Sequence, residues 1–488
     1  MYKYPVSVSE KLFKRPAFGR LVLRKRGIIM SNEPKNSGEA QWGSRFGYLM
    51  VAAGASIGLG NIWKFPYLAY RGGGGVFLVV YIIIILLLAK PVVEIETAIG
   101  RHCQSDCVTT FETVGGKKAW GWLGWCGNIA TIMICAYYFV VGGWVIKYAA
   151  NFIISGDFGS DPWEYFNNFV ADPVEPLCWA LGLLIFTIVF LFFGITNIVE
   201  KMAKVMLPLL FVLLVVCGVY ACTSAEGAVE GLKYYLLPDF SNFTVKVAAD
   251  AVTQCLFSVG IGWCLFVTLG ANLPKENNLR SDAVFVSFAD TVAAIIAGFV
   301  IIPAAFGAGV DVQKGPSLIF GVMTDIFAKL PGGRIIGSFF FAALIFAVIS
   351  SLFSFVEITA RTFEIKLGWG RKKGLIIYGI GMAILNILVS LGFGVLDNVK
   401  IPWAYVGSVE YYGLYDWFDC FSGYVLLPLG CLLTALIIPL GWGWKNYEAE
   451  LTNNGKFGKI SKWDKFEICV VVPFFMLVVL LNVFGVIK

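Results

Sequence analysis

Charge is what this chain lacks. Only 14% of its 488 residues are Asp, Glu, Lys or Arg, against 58% hydrophobic, whereas a soluble protein needs roughly a quarter charged. That shortage excludes a soluble globular chain. Histidine is scarcer still, a single residue, which removes HExxH zinc chemistry and His-based nucleophile activation and leaves a membrane-embedded enzyme only scattered carboxylates. The basic segment 1–40 reads as lacking the apolar core and small-residue cleavage site of a signal peptide. Met30 opens "MSNEPKNSGEAQWGSR" like a natural start, so residues 1–29 are expected to be an extension or a tail, and 1–40 to be disordered. The twelve cysteines fall mostly inside apolar runs, as small buried hydrophobes, and show no disulfide framework. "RHCQSDC" brings His102, Cys103 and Cys107 together but falls short of four ligands at a metal-binding spacing.

What is present is a series of apolar runs, each near the roughly 20 residues needed to cross a bilayer. Eleven spans are expected, near 44–70, 75–100, 120–152, 176–195, 199–222, 246–271, 281–309, 334–366, 374–394, 414–442 and 466–487. Basic loops ("GGKK", "VEKMAK", "PKENNLR", "KLGWGRKK", "KFGKISKWDK") alternate with less basic ones such as "SGDFGSDPWEYFNNFVADPVEP". This bias predicts a cytoplasmic amino terminus and, with an odd span count, an external carboxyl terminus. The net charge of +6 comes largely from these flanks; it suits anionic membrane lipid and gives no support to nucleic-acid binding.

Two runs carry features that membrane helices normally avoid. "GASIGLGN" (54–61) and "FSVGIGW" (257–263) place glycines mid-span and open successive groups of five spans. Glycines in such helices commonly serve close packing, and "GGGG" at 72–75 reads as a loop or helix start. Packing does not account for Asn61 or for Lys64 one turn later. Interrupted segments at corresponding positions of two halves point to a binding site in a transporter of inverted repeats, because freed backbone groups are tolerated at membrane depth only beside a cavity or a coordinated ligand.

At these residues the chain resembles the neurotransmitter:sodium symporter family, particularly its bacterial LeuT-like amino-acid transporters. The similar pieces are "QWGSRFGYLMVAAGASIGLGNIWKFPY", "YIIIILLLAKPVVEIETAIGRH", "AYYFVVGGW", "QCLFSVGIGW", "DTVAAIIAGFVIIPAAFGAG", "FAVISSLFSFVE" and "DWFDCFSGYVLLPLG", in family order from about residue 41 to 440. The resemblance implies an all-α integral membrane protein of eleven transmembrane helices with a LeuT-type inverted five-plus-five repeat (41–230 and 231–443) and helices 1 and 6 unwound at mid-membrane. Residues 444–488 would form a cytoplasmic loop and the eleventh helix. It further implies sodium-coupled import of an amino acid across the cell membrane by alternating access, with no cofactor beyond Na+.

Carried over by motif, one sodium would lie among the Ser56 carbonyl, Asn61, Ser258, Asp290 and the substrate carboxylate; hard oxygen donors suit a hard cation. The second would use carbonyls of Gly54, Ile57 and Ala347 with the hydroxyls of Ser350 and Ser351, although adjacent serines in an apolar span commonly satisfy backbone carbonyls instead. Substrate would be lined by Ser56, Gly58, Leu59, Gly60, Ile134, Tyr138, Phe257, Ser258, Gly260, Trp263, Ser351 and Phe355. Its carboxylate would meet half-helix N–H groups and the Tyr138 hydroxyl. Lys64 and Asp419 would form the outer gate, with Tyr138 and Phe257 beside it, and Glu96 would brace the unwound backbone. An aspartate stands at the position of Gly58 in amine carriers, so glycine there implies an amino acid.

Several positions depart from the family pattern. Asp290 replaces a common asparagine and Ala294 a nearby serine of chloride-dependent relatives, so chloride independence is expected even though Tyr81 and Gln254 of the chloride-site pattern remain. Lys64 replaces the gate arginine and cannot make its two-pronged contact. Glu39 and Ile365 stand where an inner ion pair would be, with Arg361 as a substitute partner for Glu39, and Asn272 replaces an inner tyrosine. Gly260 enlarges the pocket while Trp263 and Phe355 fill it, so a small substrate (glycine or alanine) and an aromatic one both stay open, the expectation leaning to a neutral, hydrophobic or aromatic amino acid. A sensor that binds the same ligand without moving it is the competing reading, and a proton-coupled carrier is disfavoured by the Ser350–Ser351 pair without a nearby lysine.

Overall fold

A computed structural model describes residues 41–193, 199–224, 227–309, 316–329, 331–405 and 408–486. Glu39 and the expected tail 1–40 lie outside the described residues. The first apolar run divides into α1 (Arg45–Ser56) and α2 (Gly60–Arg71), bent 52° from one another. Ser44 caps α1 by accepting from the Gly47 amide, a standard use of a hydroxyl at a helix start. The glycines at 72–75 turn the chain, with positive φ at Gly73 and Gly74, into α3 (Gly75–Cys103).

Then come α4 (Cys107–Gly115), α5 (Lys118–Ile154), α6 (Pro162–Ala171), α7 (Glu175–Leu191), α8 (Glu200–Thr223) and α9 (Ala228–Leu236). The sixth apolar run is again in two pieces, α10 (Val245–Val259) and α11 (Leu265–Gly270). Beyond it lie α12 (Leu279–Gly307), α13 (Thr324–Lys329), α14 (Gly333–Ile365), α15 (Arg371–Leu391) and α16 (Leu414–Trp442). A short α17 (Trp444–Leu451) leads to α18 (Lys462–Val483).

Among the described residues eight helices are long and apolar enough to cross a membrane, or ten if each of two bent pairs counts as one span. The run expected at 246–271 falls outside that count because its pieces, 15 and 6 residues long, are each too short alone. The all-α expectation needs one correction. Between α15 and α16, strands β1 (Ile401–Tyr405) and β2 (Ser408–Tyr412) pair antiparallel. The segment "IPWAYVGSVEYY" is rich in aromatic and β-branched residues around a glycine, a hairpin composition.

Helices α5 and α14 pack along one another at the centre, with α8 and α1 against α14. Polar clamps close the end of the bundle where α1 begins. Arg101, wholly buried at the end of α3, donates through Nε to Glu450 of α17 at 2.7 Å, and Lys275 reaches both Glu450 oxygens at 2.7 Å. Burial opposes ionisation of Glu450, but hydrogen bonds from His102 and Lys275, with the charges of Lys275 and Arg101, outweigh it and hold the carboxyl at about 2.

Candidate functional site

The two interruptions face each other. Helix α1 stops because Ile57 turns extended (φ −75°, ψ 96°), and α10 stops at Gly260, which with Gly262 takes positive φ (86° and 90°) that side chains resist. Gly262 also abuts α16, a Cβ there lying 2.5 Å from the Leu427 carbonyl oxygen. Across the gap the Ser56 hydroxyl donates to the Val259 carbonyl at 2.7 Å. Glu96, buried in α3, accepts from the Gly262 amide at 2.7 Å and the Phe266 amide at 3.3 Å. A carboxylate thus takes up backbone donors that the break sets free, groups that are costly to leave unpaired.

Beside the breaks lies a polar knot. Asp290, with 0% exposure, accepts from Asn61 Nδ2 at 2.7 Å and from Ser258 Oγ at 3.0 and 2.9 Å. Asn61 Oδ1 accepts from the Gly58 amide at 3.0 Å. Asn61, Ser258 and Asp290 are therefore brought together from three elements, with Ser56 on the adjoining turn. These partners of the carboxylate are neutral donors, so its charge is one that a cation would balance. Such an oxygen-rich cluster fits Na+ by donor chemistry. Gln254, one turn before Ser258, donates to the Gly60 carbonyl at 3.1 Å.

A second oxygen cluster joins α1 to α14. Ser350 Oγ lies 2.8 Å and Ser351 Oγ 3.4 Å from the Gly54 carbonyl, and Ser350 Oγ also reaches the Ala347 carbonyl at 3.1 Å. Ile57 and Ala347 are buried alongside. In this arrangement the serines satisfy backbone carbonyls, the role that competes with ion binding, while holding four oxygens close together.

Between the clusters sits a group of buried aromatic side chains. The Leu59 amide donates to Tyr138 Oη at 3.0 Å, leaving that hydroxyl's own proton to give. A Cβ on Gly58 would lie 2.6 Å from Tyr138 Oη and 3.1 Å from Ser351 Oγ, and one on Gly60 2.6 Å from the Phe257 ring. Tyr138 meets Phe355 edge-on at 5.5 Å, Phe355 meets Trp263 at 4.6 Å, and Trp263 lies nearly parallel to Phe257 at 6.4 Å. Ile134 is fully buried. Trp263 Nε1 is buried with no hydrogen-bond partner among the described residues, and it stands 3.3 Å from where a Cβ on Gly260 would be.

Beside the Phe257 ring, 4.6 Å from its centre, Lys64 Nζ lies 3.4 Å from both Asp419 oxygens, longer than a tight charge-assisted bond of about 2.8 Å. Tyr137 adds its hydroxyl to Asp419 at 3.1 Å; sequence reasoning passed over it, though its place next to Tyr138 in "AYYF" was the available signal. At the other mouth Arg361 reaches Asn272 Oδ1 and the Ser105 carbonyl, each at 3.2 Å. An ion pair that the sequence did not announce, Arg45 to Asp282 at 2.7 Å, ties α1 to α12. His102 lies near Glu450 at 3.4 Å and Cys107 near Thr268 at 3.3 Å, and no metal-holding cluster of His, Cys, Asp and Glu occurs among the described residues.

This geometry, two interrupted helices meeting at a buried aromatic group with oxygen clusters beside it, matches the binding-site arrangement of a membrane transporter built from repeats. The profile of the Sodium:neurotransmitter symporter family matches residues 39–174 and 172–488, and the chain belongs to that family. It is 32% identical over 459 residues to the uncharacterized sodium-dependent transporter YhdH of Bacillus subtilis (strain 168), covering 92% of this chain and 98% of that protein. A sodium-dependent transporter of Haemophilus influenzae is 30% identical over 462 residues, covering 92% and 98%. Among solved structures, MhsT in complex with L-phenylalanine superposes with a TM-score of 0.84 at 35% identity, over 92% of this chain and all of that one. The protein is thus a multi-pass membrane transporter of a sodium-dependent symporter family, with a LeuT-fold neighbour.

Proposed function

We propose that this protein is a sodium-coupled symporter that imports a neutral amino acid by alternating access, independently of chloride. The observation that carries the reading is the buried Asp290 carboxylate held by Asn61 and Ser258 beside both helix interruptions. It supplies a fixed negative charge next to a cation, in place of a chloride ion. One Na+ uses Asn61, Ser258, Asp290 and the Ser56 carbonyl, and the second uses carbonyls of Gly54, Ile57 and Ala347 with Ser350 and Ser351. Substrate carboxylate is received by backbone N–H groups at the start of α2 and by the Tyr138 hydroxyl, to which the Leu59 amide donates in this structure. The chain crosses the cell membrane eleven times, counting α10 with α11 as one broken span, with the amino terminus in the cytoplasm and the carboxyl terminus outside. The first repeat occupies 41–230 and the second 231–443.

For the substrate side chain, the rings of Tyr138, Phe257, Trp263 and Phe355 favour a hydrophobic or aromatic amino acid, and a neighbour at 35% identity was solved with L-phenylalanine. A second reading, glycine or alanine, is favoured by Trp263, whose indole stands directly against Gly260 and takes up room a larger side chain needs. Counterflow of labelled amino acids in proteoliposomes tests the proposal and separates it from a sensor. A symporter accelerates exchange of its substrate across the membrane in Na+, whereas a sensor binds and exchanges nothing.

A further inference from the structure

Helix α1 is a short body of 12 residues that ends at its break, so under alternating access the contacts at its far end bear on whether it can swing. We propose that Glu200, the first residue of α8, is the inner latch that keeps α1 closed, an inference that rests on the alternating-access reading. Glu200 is 5% exposed. Its Oε2 accepts from the Gly43 amide at 2.8 Å and its Oε1 from Ser44 Oγ at 3.2 Å. Lys204, one turn along α8, holds Oε1 at 2.7 Å.

The start of α1 is shaped for this carboxylate. Gly43 and Gly47 are four residues apart and form a notch into which Glu200 fits. A Cβ on Gly47 would lie 1.9 Å from Glu200 Oε1 and 2.5 Å from its Cγ, and one on Gly43 3.3 Å from Oε1. The site is the amino end of a helix, where unpaired N–H groups and the positive end of the dipole favour an anion. Three features therefore converge on one side chain: a complementary notch, direct hydrogen bonds to the helix start, and a lysine that fixes the carboxylate. The Arg45–Asp282 pair and the hydrogen bond from Trp42 Nε1 to the Leu269 carbonyl (3.0 Å) hold the same end to α12 and α11; Glu200 alone of these ties it to α8.

Opening at this end means withdrawing the notch from Glu200, so weakening this contact shifts the population toward the open state. Sodium bound at Gly54 and Ser56 on the same helix pulls the other way, which links the latch to ion affinity.

The test is amide hydrogen exchange of residues 42–56 in the purified full-length protein, titrated with NaCl, for wild type, Glu200→Gln, Glu200→Ala and Gly47→Ala. Exchange in α5, which does not touch the latch, controls for unfolding. The latch predicts at least tenfold faster exchange confined to 42–56 in Glu200→Ala and Gly47→Ala and an intermediate change in Glu200→Gln. It also predicts a several-fold higher Na+ concentration to regain wild-type protection. Unchanged exchange at 42–56 in these variants overturns it, as does faster exchange spread equally through α5. Should wild type show no Na+ effect at all, the symport reading falls while the local comparison among variants still decides the latch.

Discussion

Replacing Asp290 by asparagine removes one charge while nearly preserving shape. Two donors end on this carboxylate, Asn61 Nδ2 at 2.7 Å and the Ser258 hydroxyl, whose one proton is shared between oxygens at 3.0 and 2.9 Å, and an amide can accept through only one oxygen. A unit charge about 4 Å from a bound Na+ is worth about 4 kcal/mol at an effective dielectric near 20. The amide dipole and rearranged neighbours recover part of that, so a net loss of about 1.4 to 3 kcal/mol is expected, roughly 10- to 100-fold in half-saturating Na+. The missing charge can come from a small anion. Uptake by Asp290→Asn proteoliposomes should therefore collapse when gluconate replaces chloride, whereas wild-type uptake should not change. Wild-type uptake lost in gluconate, or a variant whose Na+ dependence matches wild type in both anions, would refute the reasoning.

Gly60→Ala puts a methyl carbon 2.6 Å from the Phe257 ring; substrate affinity should fall at least tenfold with the melting temperature little changed, read by ligand binding and thermal shift. Ser350→Ala removes one oxygen of the second cluster and a hydrogen bond worth about 1 kcal/mol, so half-saturating Na+ should rise several-fold in a binding titration. Lys64→Arg offers Asp419 a two-pronged partner and should slow substrate dissociation to the outside, measured by washout of label. Glu450 is held at about 2 against an ordinary 4.5, a depressed carboxyl whose stabilisation is full above pH 4.5 and fades as pH falls toward 2. It amounts to about 3 kcal/mol, so Glu450→Gln should lower the melting temperature by a constant amount from pH 5 to 8 and by less at pH 3.5.

Local sequence carried the membrane class and the places of the two breaks, because apolar run length and mid-span glycines with Asn61 act at close range. The residues gathered around those breaks were reachable only through the family resemblance: Asp290 lies 229 positions from the Asn61 it binds, and no spacing rule spans that distance. Arg45–Asp282 and Glu200 at the start of α1 stayed hidden for the same reason, since each looks like an ordinary charge at a span end. The strand pair 401–405 and 408–412 was overlooked because the surrounding apolar runs dominate any window that contains it. Trp263 illustrates a different limit. Its size was legible, but its place against Gly260 goes with the positive φ of Gly260 and Gly262, a backbone property that the residue names only permit.

The most direct test of the central claim is equilibrium binding of each of the twenty amino acids to the purified protein, with Na+ and with K+ in its place. Helices interrupted in order to hold a cation and a zwitterion together predict at least one neutral amino acid whose affinity rises tenfold or more in Na+. Absence of any amino acid bound more tightly in Na+ than in K+ would contradict the account.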